Sequence, residues 1–182
     1  HMQFAVLDGH VAEWDLVLVS LVDITARKKA EAYLEYLGKH DVLTRLRNRA
    51  FYAEELSRLS RRGPWPLTII AIDLNGLKRV NDEQGHAAGD ALLRRMGEVL
   101  AKAVDAPACT ARVGGDEFAV LLPGTDDRGA LAVKERIESL MELNNQFYPG
   151  QSLSMAMDSA SCASAAQVEV ALHTADQALF TD

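Results

Sequence analysis

Arg112-Val113-Gly114-Gly115-Asp116-Glu117-Phe118 joins two apolar runs through two glycines followed at once by two carboxylates. Cys109 to Val113 leads in and Phe118 to Leu122 leads out, so the stretch predicts a β-hairpin with Gly-Gly-Asp-Glu at its turn. Gly114 and Gly115 are expected to permit positive φ and to let a ligand approach the backbone with no Cβ in the way. A plain hairpin can also use Gly-Gly-Asp. It does not explain two adjacent acids at the lip of a buried turn, because like charges that close repel and invite a cation or a raised pKa.

Working outward, strands and helices alternate. A helix is predicted over Asn48 to Arg62, then the breaker Gly63-Pro64-Trp65-Pro66, then an almost unbroken apolar strand from Leu67 to Leu74 that suits the middle of a covered sheet. A long helix follows, with Leu92, Leu93, Met96, Val99, Leu100, Ala103 and Val104 on one face. Beyond the hairpin the pattern gives a helix from Arg128 to Leu143, a short strand near Leu153 to Met157, and a helix from Ala165 to Phe180. The fold class is therefore α/β (α+β): a mixed central sheet with helices on both faces, part of it antiparallel at the hairpin.

Asp73 closes the Leu67 strand, and ligands gather at the carboxyl ends of strands in open sheets. If the hairpin lies beside that strand, Asp73 and Asp116 can share a hard cation such as Mg²⁺; otherwise Asp73 is an N-cap for the next helix. The following turn and short helix carry Lys78 and Arg79, either a phosphate-facing charge or a solvated pair. Asp90 is expected in the first turn of the long helix, where the helix dipole favours an acid.

Several ordered motifs carry a resemblance. Asp73-Leu74-Asn75-Gly76-Leu77-Lys78-Arg79-Val80-Asn81-Asp82 running on to Gly89-Asp90, with Arg112 to Phe118 beyond, resembles the GGDEF family of diguanylate cyclases. Asp41-Val42-Leu43-Thr44-Arg45-Leu46-Arg47-Asn48-Arg49 is similar to that family's opening motif, and Ala175-Asp176-Gln177-Ala178-Leu179-Phe180 to its closing helix. The resemblance implies a ferredoxin-like, nucleotidyl-cyclase-like sheet and condensation of two GTP into cyclic di-GMP and two pyrophosphates with Mg²⁺ (or Mn²⁺). The alternative is a catalytically silent GTP-binding module regulating a neighbouring domain; a third reading is a dimerisation element whose nucleotide chemistry is incidental.

By the same resemblance, Asp73, Asp116 and the backbone carbonyl of Leu74 hold the metal. Glu117 ligates a second metal or helps activate the 3′-hydroxyl, and Lys78 assists the phosphates. Asn81 and Asp90 read guanine, whose N1–H and N2–H donors adenine lacks. Leu77, Gly114 and Gly115 line the substrate, and His86 sits beside it or packs the helix start. Each domain offers one GTP half-site, so a homodimer is implied.

Three departures stand out. Asp105 and Ala108 occupy the places where many relatives carry an Arg-x-x-Asp product site, so that feedback is expected to be absent; an acid repels product phosphates. Leu77 replaces a frequent Phe. The chain reaches Asp182 before the Lys and Arg that relatives place on the triphosphate, which leaves Arg47, Arg49, Lys78 and Arg79 to compete for that role.

The N-terminal part has its own grammar. Phe4 to Leu7 and Trp14 to Val22 predict strands around Asp8-Gly9, and Thr25 is the expected N-cap of a helix with Ala30, Tyr33, Leu34 and Leu37 on one stripe. The run Ser20 to Glu31 resembles the end of a PAS sensor entering its output helix. The expected organisation is residues 1–25 as a PAS-like remnant with His1-Met2 as tag residues, 26–40 as a signalling linker helix, and 41–182 as a clipped GGDEF domain, with PAS upstream and a further domain possible downstream.

Bulk numbers bound the rest. A net charge of −7 with no basic block argues against nucleic-acid binding, although a triphosphate needs only a metal and a few donors. No apolar run approaches spanning length, and Cys109 and Cys162 suit buried thiols of a reducing compartment, so no membrane contact by this stretch is expected; the resemblance implies a bacterial cytoplasmic location.

Overall fold

The computed structural model describes residues 2–6, 17–148 and 150–178, with backbone alone for 2–6, 17–21 and 176–178. Two compact units emerge, residues 1–37 and 38–182.

In the first unit β1 (Met2–Val6) pairs antiparallel with β2 (Val17–Leu21). The expected Asp8-Gly9 turn and the start of the Trp14 strand lie outside the described residues. Helix α1 (Thr25–Lys39) starts where Asp23 Oδ1 accepts the Thr25 N–H at 2.8 Å, so Asp23 rather than Thr25 supplies the capping oxygen. None of its side chains is buried, and Tyr33 and Leu34 stand exposed.

The second unit runs α2 (Arg49–Arg62), β3 (Leu67–Leu74), α3 (Leu77–Gln84), α4 (His86–Ala103), β4 (Cys109–Arg112), β5 (Glu117–Pro123), α5 (Asp127–Phe147), β6 (Met155–Cys162), a 3₁₀ turn (Ala165–Gln167) and α6 (Val168–Ala178). The sheet order is β4-β5-β3-β6 with every neighbouring pair antiparallel. Strands β3 and β4 run the same way across the α3–α4 crossover, but β5 inserts between them, which is the split β-α-β of the ferredoxin-like arrangement. The expected mixed character therefore rests in that unpaired parallel relation and in the single parallel bridge between Arg47 and Ala111.

Alternation along β3 sends Ile70, Ile72 and Leu74 to one face, where they meet Leu92, Met96, Leu100 and Ile137 of α4 and α5. Leu67 and Ile69 point the other way, against Leu59 of α2 and Val168 and Ala171 of α6. Helices thus cover both faces.

Two boundaries differ from the sequence pattern. Strand β6 runs well past Met157 because β3 pairs with it from Leu74↔Met155 to Leu67↔Cys162. The Ser- and Ala-rich segment has little β-propensity of its own, and the ladder imposes the conformation. The last helix begins at Val168 after the 3₁₀ turn, and its expected continuation beyond Ala178 lies outside the described residues.

Candidate active site

Alternation puts Asp73 on the α2/α6 face with Leu67, Ile69 and Ala71, and its ladder partner on β5 is Glu117. Asp116 is tied to the same end, its carbonyl accepting the Leu74 N–H at 3.0 Å. The hairpin therefore does lie beside the strand, although the acid facing Asp73 across the ladder is Glu117. Burial, then the charges of Asp116 and Glu117, push the Asp73 carboxyl above the usual carboxylate range. Asp73 is not a cap: α3 starts from Gly76, in the left-handed region at φ 75°, with no side-chain bond at its N-terminus.

Among the described residues no three His, Cys, Asp or Glu side chains close on a single point as a metal cage does. The acids are gathered at one sheet end and repel one another. Their hard oxygens, with no Cys or His among them, suit Mg²⁺ or Mn²⁺ better than a softer ion.

The glycine turn is held from inside. Val113 and Gly114 N–H groups both donate to the Glu117 carbonyl, at 2.9 and 3.2 Å. Neither Gly114 nor Gly115 adopts positive φ, contrary to the expectation from the sequence. A Cβ on Gly114 would displace the Glu117 carboxylate from its present position, whereas a Cβ on Gly115 would meet open space. The Arg112 guanidinium donates twice to the Gly115 carbonyl, at 2.7 and 3.2 Å, and reaches Asp41 Oδ1 at 3.3 Å.

Asp41 anchors the opening motif. Its Oδ1 also accepts from the Thr44 N–H at 2.8 Å and the Thr44 hydroxyl at 2.7 Å. Burial raises this carboxyl, but the Thr44 bonds and Arg112 outweigh it and hold Asp41 below its ordinary value. Leu46 enters the core, and Asn48 caps α2 by accepting the Phe51 N–H at 2.9 Å.

On the other side of the β3 end, Asn81 lies against the backbone of α4: a Cβ on Gly89 would run into its amide oxygen. That places Asn81 next to Asp90, and Leu77 packs beside it. Helix α4 begins at His86, so Asp90 falls beyond the first turn and the dipole argument for it does not hold. Arg94 approaches Asp90 at 3.7 Å across an exposed surface, a weak competitor for its carboxylate. Lys78 and His86 are exposed and join none of the described bonds around the acids.

Two features were not read from the sequence. Buried Arg95 donates to Asn144 Oδ1 (2.9 Å), Asn145 Oδ1 (2.9 Å) and the Gln151 carbonyl (2.6 Å), and stacks on Tyr148. Asn145 in turn bonds both backbone groups of Leu153, and Ser154 then holds Asn75 N–H at 3.0 Å, directly after Asp73-Leu74. The signal was present: an arginine inside the apolar stripe of α4. The second feature is a cleft of about 900 Å³ between α2 and α6, lined by Arg49, Tyr52, Arg61, Asp73, Glu117 and Glu169 among others. Elsewhere, Asp105 is engaged by Arg136 at 2.6 Å.

Residues 38–181 match the family model described as diguanylate cyclase, GGDEF domain. The chain belongs to the GGDEF family. This GGDEF chain is 40% identical over 123 residues to an uncharacterized signaling protein of Caulobacter vibrioides, covering 65% of the chain and 15% of that protein. It is 38% identical over 120 residues to the probable diguanylate cyclase DgcE of Escherichia coli, covering 64% and 11%. The chain thus spans a small fraction of the length of these relatives. Its fold matches the coiled coil and GGDEF domain of DgcB from Caulobacter crescentus in complex with c-di-GMP, with TM-score 0.74 and 20% identity over 86% of each chain. It also matches the GGDEF domain of PA1120 (TpbB or YfiN) from Pseudomonas aeruginosa, with TM-score 0.64 and 34% identity over 78% of this chain and 86% of that one. No helix among the described residues is long and apolar enough to cross a membrane.

Proposed function

We propose that this GGDEF domain is a diguanylate cyclase, condensing two GTP molecules into cyclic di-GMP and two pyrophosphates. The observation that carries the reading is the Asp73↔Glu117 ladder pair with Asp116 bonded to Leu74. It leaves three mutually repelling acids at one strand end.

Asp73, Asp116 and the Leu74 carbonyl are the groups to hold Mg²⁺ (or Mn²⁺), which when bound would supply the positive charge that phosphoryl transfer requires. Asp90 accepts guanine N1–H and N2–H while Asn81, held by Gly89, completes the edge; Leu77 forms an apolar wall. The open side of Gly115 leaves room for substrate at the turn, and Lys78 offers charge to the phosphates. The 3′-oxygen of one GTP attacks the α-phosphorus of the other, the bond from that phosphorus to the bridging oxygen breaks, and pyrophosphate leaves. The 3′-hydroxyl proton passes to a carboxylate, for which exposed Glu117 is the assigned acceptor. Repeating the step with roles exchanged closes the ring.

Because each domain binds one GTP, two must face one another. The unburied Tyr33 and Leu34 on α1 support a homodimer through that helix, with a PAS-like unit ahead of it as the source of signal. Asp105, paired with Arg136, replaces the cation of a product site, so feedback through that position is absent.

Incubating the intact chain with GTP and Mg²⁺ and separating the products chromatographically tests the reading. Cyclic di-GMP that disappears in Asp116→Ala is expected. Bound but unconverted GTP in the unsubstituted protein would overturn it.

A further inference from the structure

The opening motif, the cleft and the acids together single out Arg49. Within Asp41 to Arg49, Asp41 and Thr44 close the turn, Leu46 fills the core, Arg47 stacks on the Phe51 ring at 4.2 Å, and Asn48 caps α2. Arg49 shares none of these structural contacts. It is exposed, and its guanidinium makes no hydrogen bond or ion pair among the described residues.

Arg49 nevertheless lines the same cleft as Asp73 and Glu117. The floor of that cleft explains why there is room. Next to the Asp73↔Glu117 pair the ladder runs Ala71↔Ala119, and β4 adds Ala111 opposite Ala119. Ala71 and Ala119 both line the cleft, and their small side chains leave a trough between α2 and α6 that larger residues would fill. Arg47, Lys78 and Arg79 are not among the cleft-lining residues. Arg61 lines it, but its Nε is committed to the Ser57 carbonyl at 3.1 Å.

We propose that Arg49 binds the β- and γ-phosphates of GTP in the alanine-floored trough. There its planar fork neutralises charge that builds on the departing pyrophosphate. The assignment rests on the GTP reading above and deepens it: the guanine is held on the α3/α4 side of the β3 end, the metal acids stand at that end, and the terminal phosphates lie on the α2/α6 side.

The test is equilibrium binding of GMP, GDP and GTP, each with Mg²⁺, to the unsubstituted chain, Arg49→Ala and Arg49→Lys, with thermal unfolding measured alongside. Arg49→Ala is expected to weaken GTP and GDP by roughly ten- to a hundred-fold, the size of one charge-assisted contact. GMP binding and the unfolding temperature should stay unchanged, and Arg49→Lys should recover part of the loss. Equal losses for all three nucleotides, or none for GTP, would overturn the assignment while the GTP reading stands. An unsubstituted chain that binds GMP, GDP and GTP not at all would overturn both.

Discussion

Replacing Arg112 with Ala removes a side chain that spans the opening motif and the glycine turn. Three contacts vanish together: two donations to the Gly115 carbonyl at 2.7 and 3.2 Å and the approach to Asp41 at 3.3 Å. Both side chains are largely sheltered, at 16% and 25% exposure, so the contacts are not simply exchanged for water. Hydrogen bonds from a charged donor each contribute about 1.5–3 kcal/mol, and sharing one guanidinium among long and short contacts brings the group to about 2–4 kcal/mol. At roughly 2–4 °C per kcal/mol for a chain of this size, the unfolding temperature should fall by about 5–15 °C. Turnover should fall further than stability alone accounts for, because the freed turn carries Asp116 and Glu117. Urea and thermal unfolding, paired with initial rates at a temperature where both proteins are folded, measure the two effects separately.

The pH dependence checks the cause. Asp41 is held below its ordinary value of 3.8, burial being outweighed by Thr44 and Arg112. A depressed acid contributes stability that is present above its unfolded pKa and lost as pH falls through the folded one. The gap between the unsubstituted protein and Arg112→Ala should therefore narrow as pH drops below 3.8, by the Asp41 share alone, because the donations to the Gly115 carbonyl do not titrate. A gap under about 0.5 kcal/mol at neutral pH, the range of neutral surface changes, would refute the reasoning.

Two further substitutions probe what holds the substrate groups. In Gly89→Ala the new methyl meets the Asn81 amide and Leu77 Cδ1, so the GTP KM should rise about ten-fold or more, as when one polar contact is lost, with kcat less affected. An unchanged KM in Gly89→Ala would count against the Asn81 argument; Gly115→Ala, whose methyl meets no protein atom, should leave the unfolding temperature unchanged. Arg95→Met leaves the Asn144 and Asn145 oxygens and the Gln151 carbonyl without their donor and should cost about 2–4 kcal/mol in urea unfolding, whereas a neutral result would show that the β6 approach is held without it.

The chemistry-bearing residues were legible because each motif couples a backbone need to a side-chain type. Gly114 before two acids, Asp73 at the end of an apolar run and Asn48 ahead of an amphipathic stretch all announce themselves by local spacing. The reason behind Gly114 was misread: the sequence suggested positive φ, while the structure uses the missing Cβ to seat Glu117. Asp90 was likewise assigned to a first helical turn that starts earlier, since Gly85 rather than Gly89 ends the preceding segment.

The sequence by itself determined the alternation of strands and helices, the hairpin and the identity of the acids, because hydrophobic period and turn chemistry act over a few residues. Only the tertiary structure decided the β4-β5-β3-β6 order, the pairing of Asp73 with Glu117 rather than Asp116, and the length of β6. Register is set between segments far apart in the chain, so no local pattern carries it. The same holds for the trough beside the acids. Alanines at 71 and 119 look unremarkable in the chain, and become a cavity floor only when β3 and β5 pair them in a cleft that Arg49 also lines.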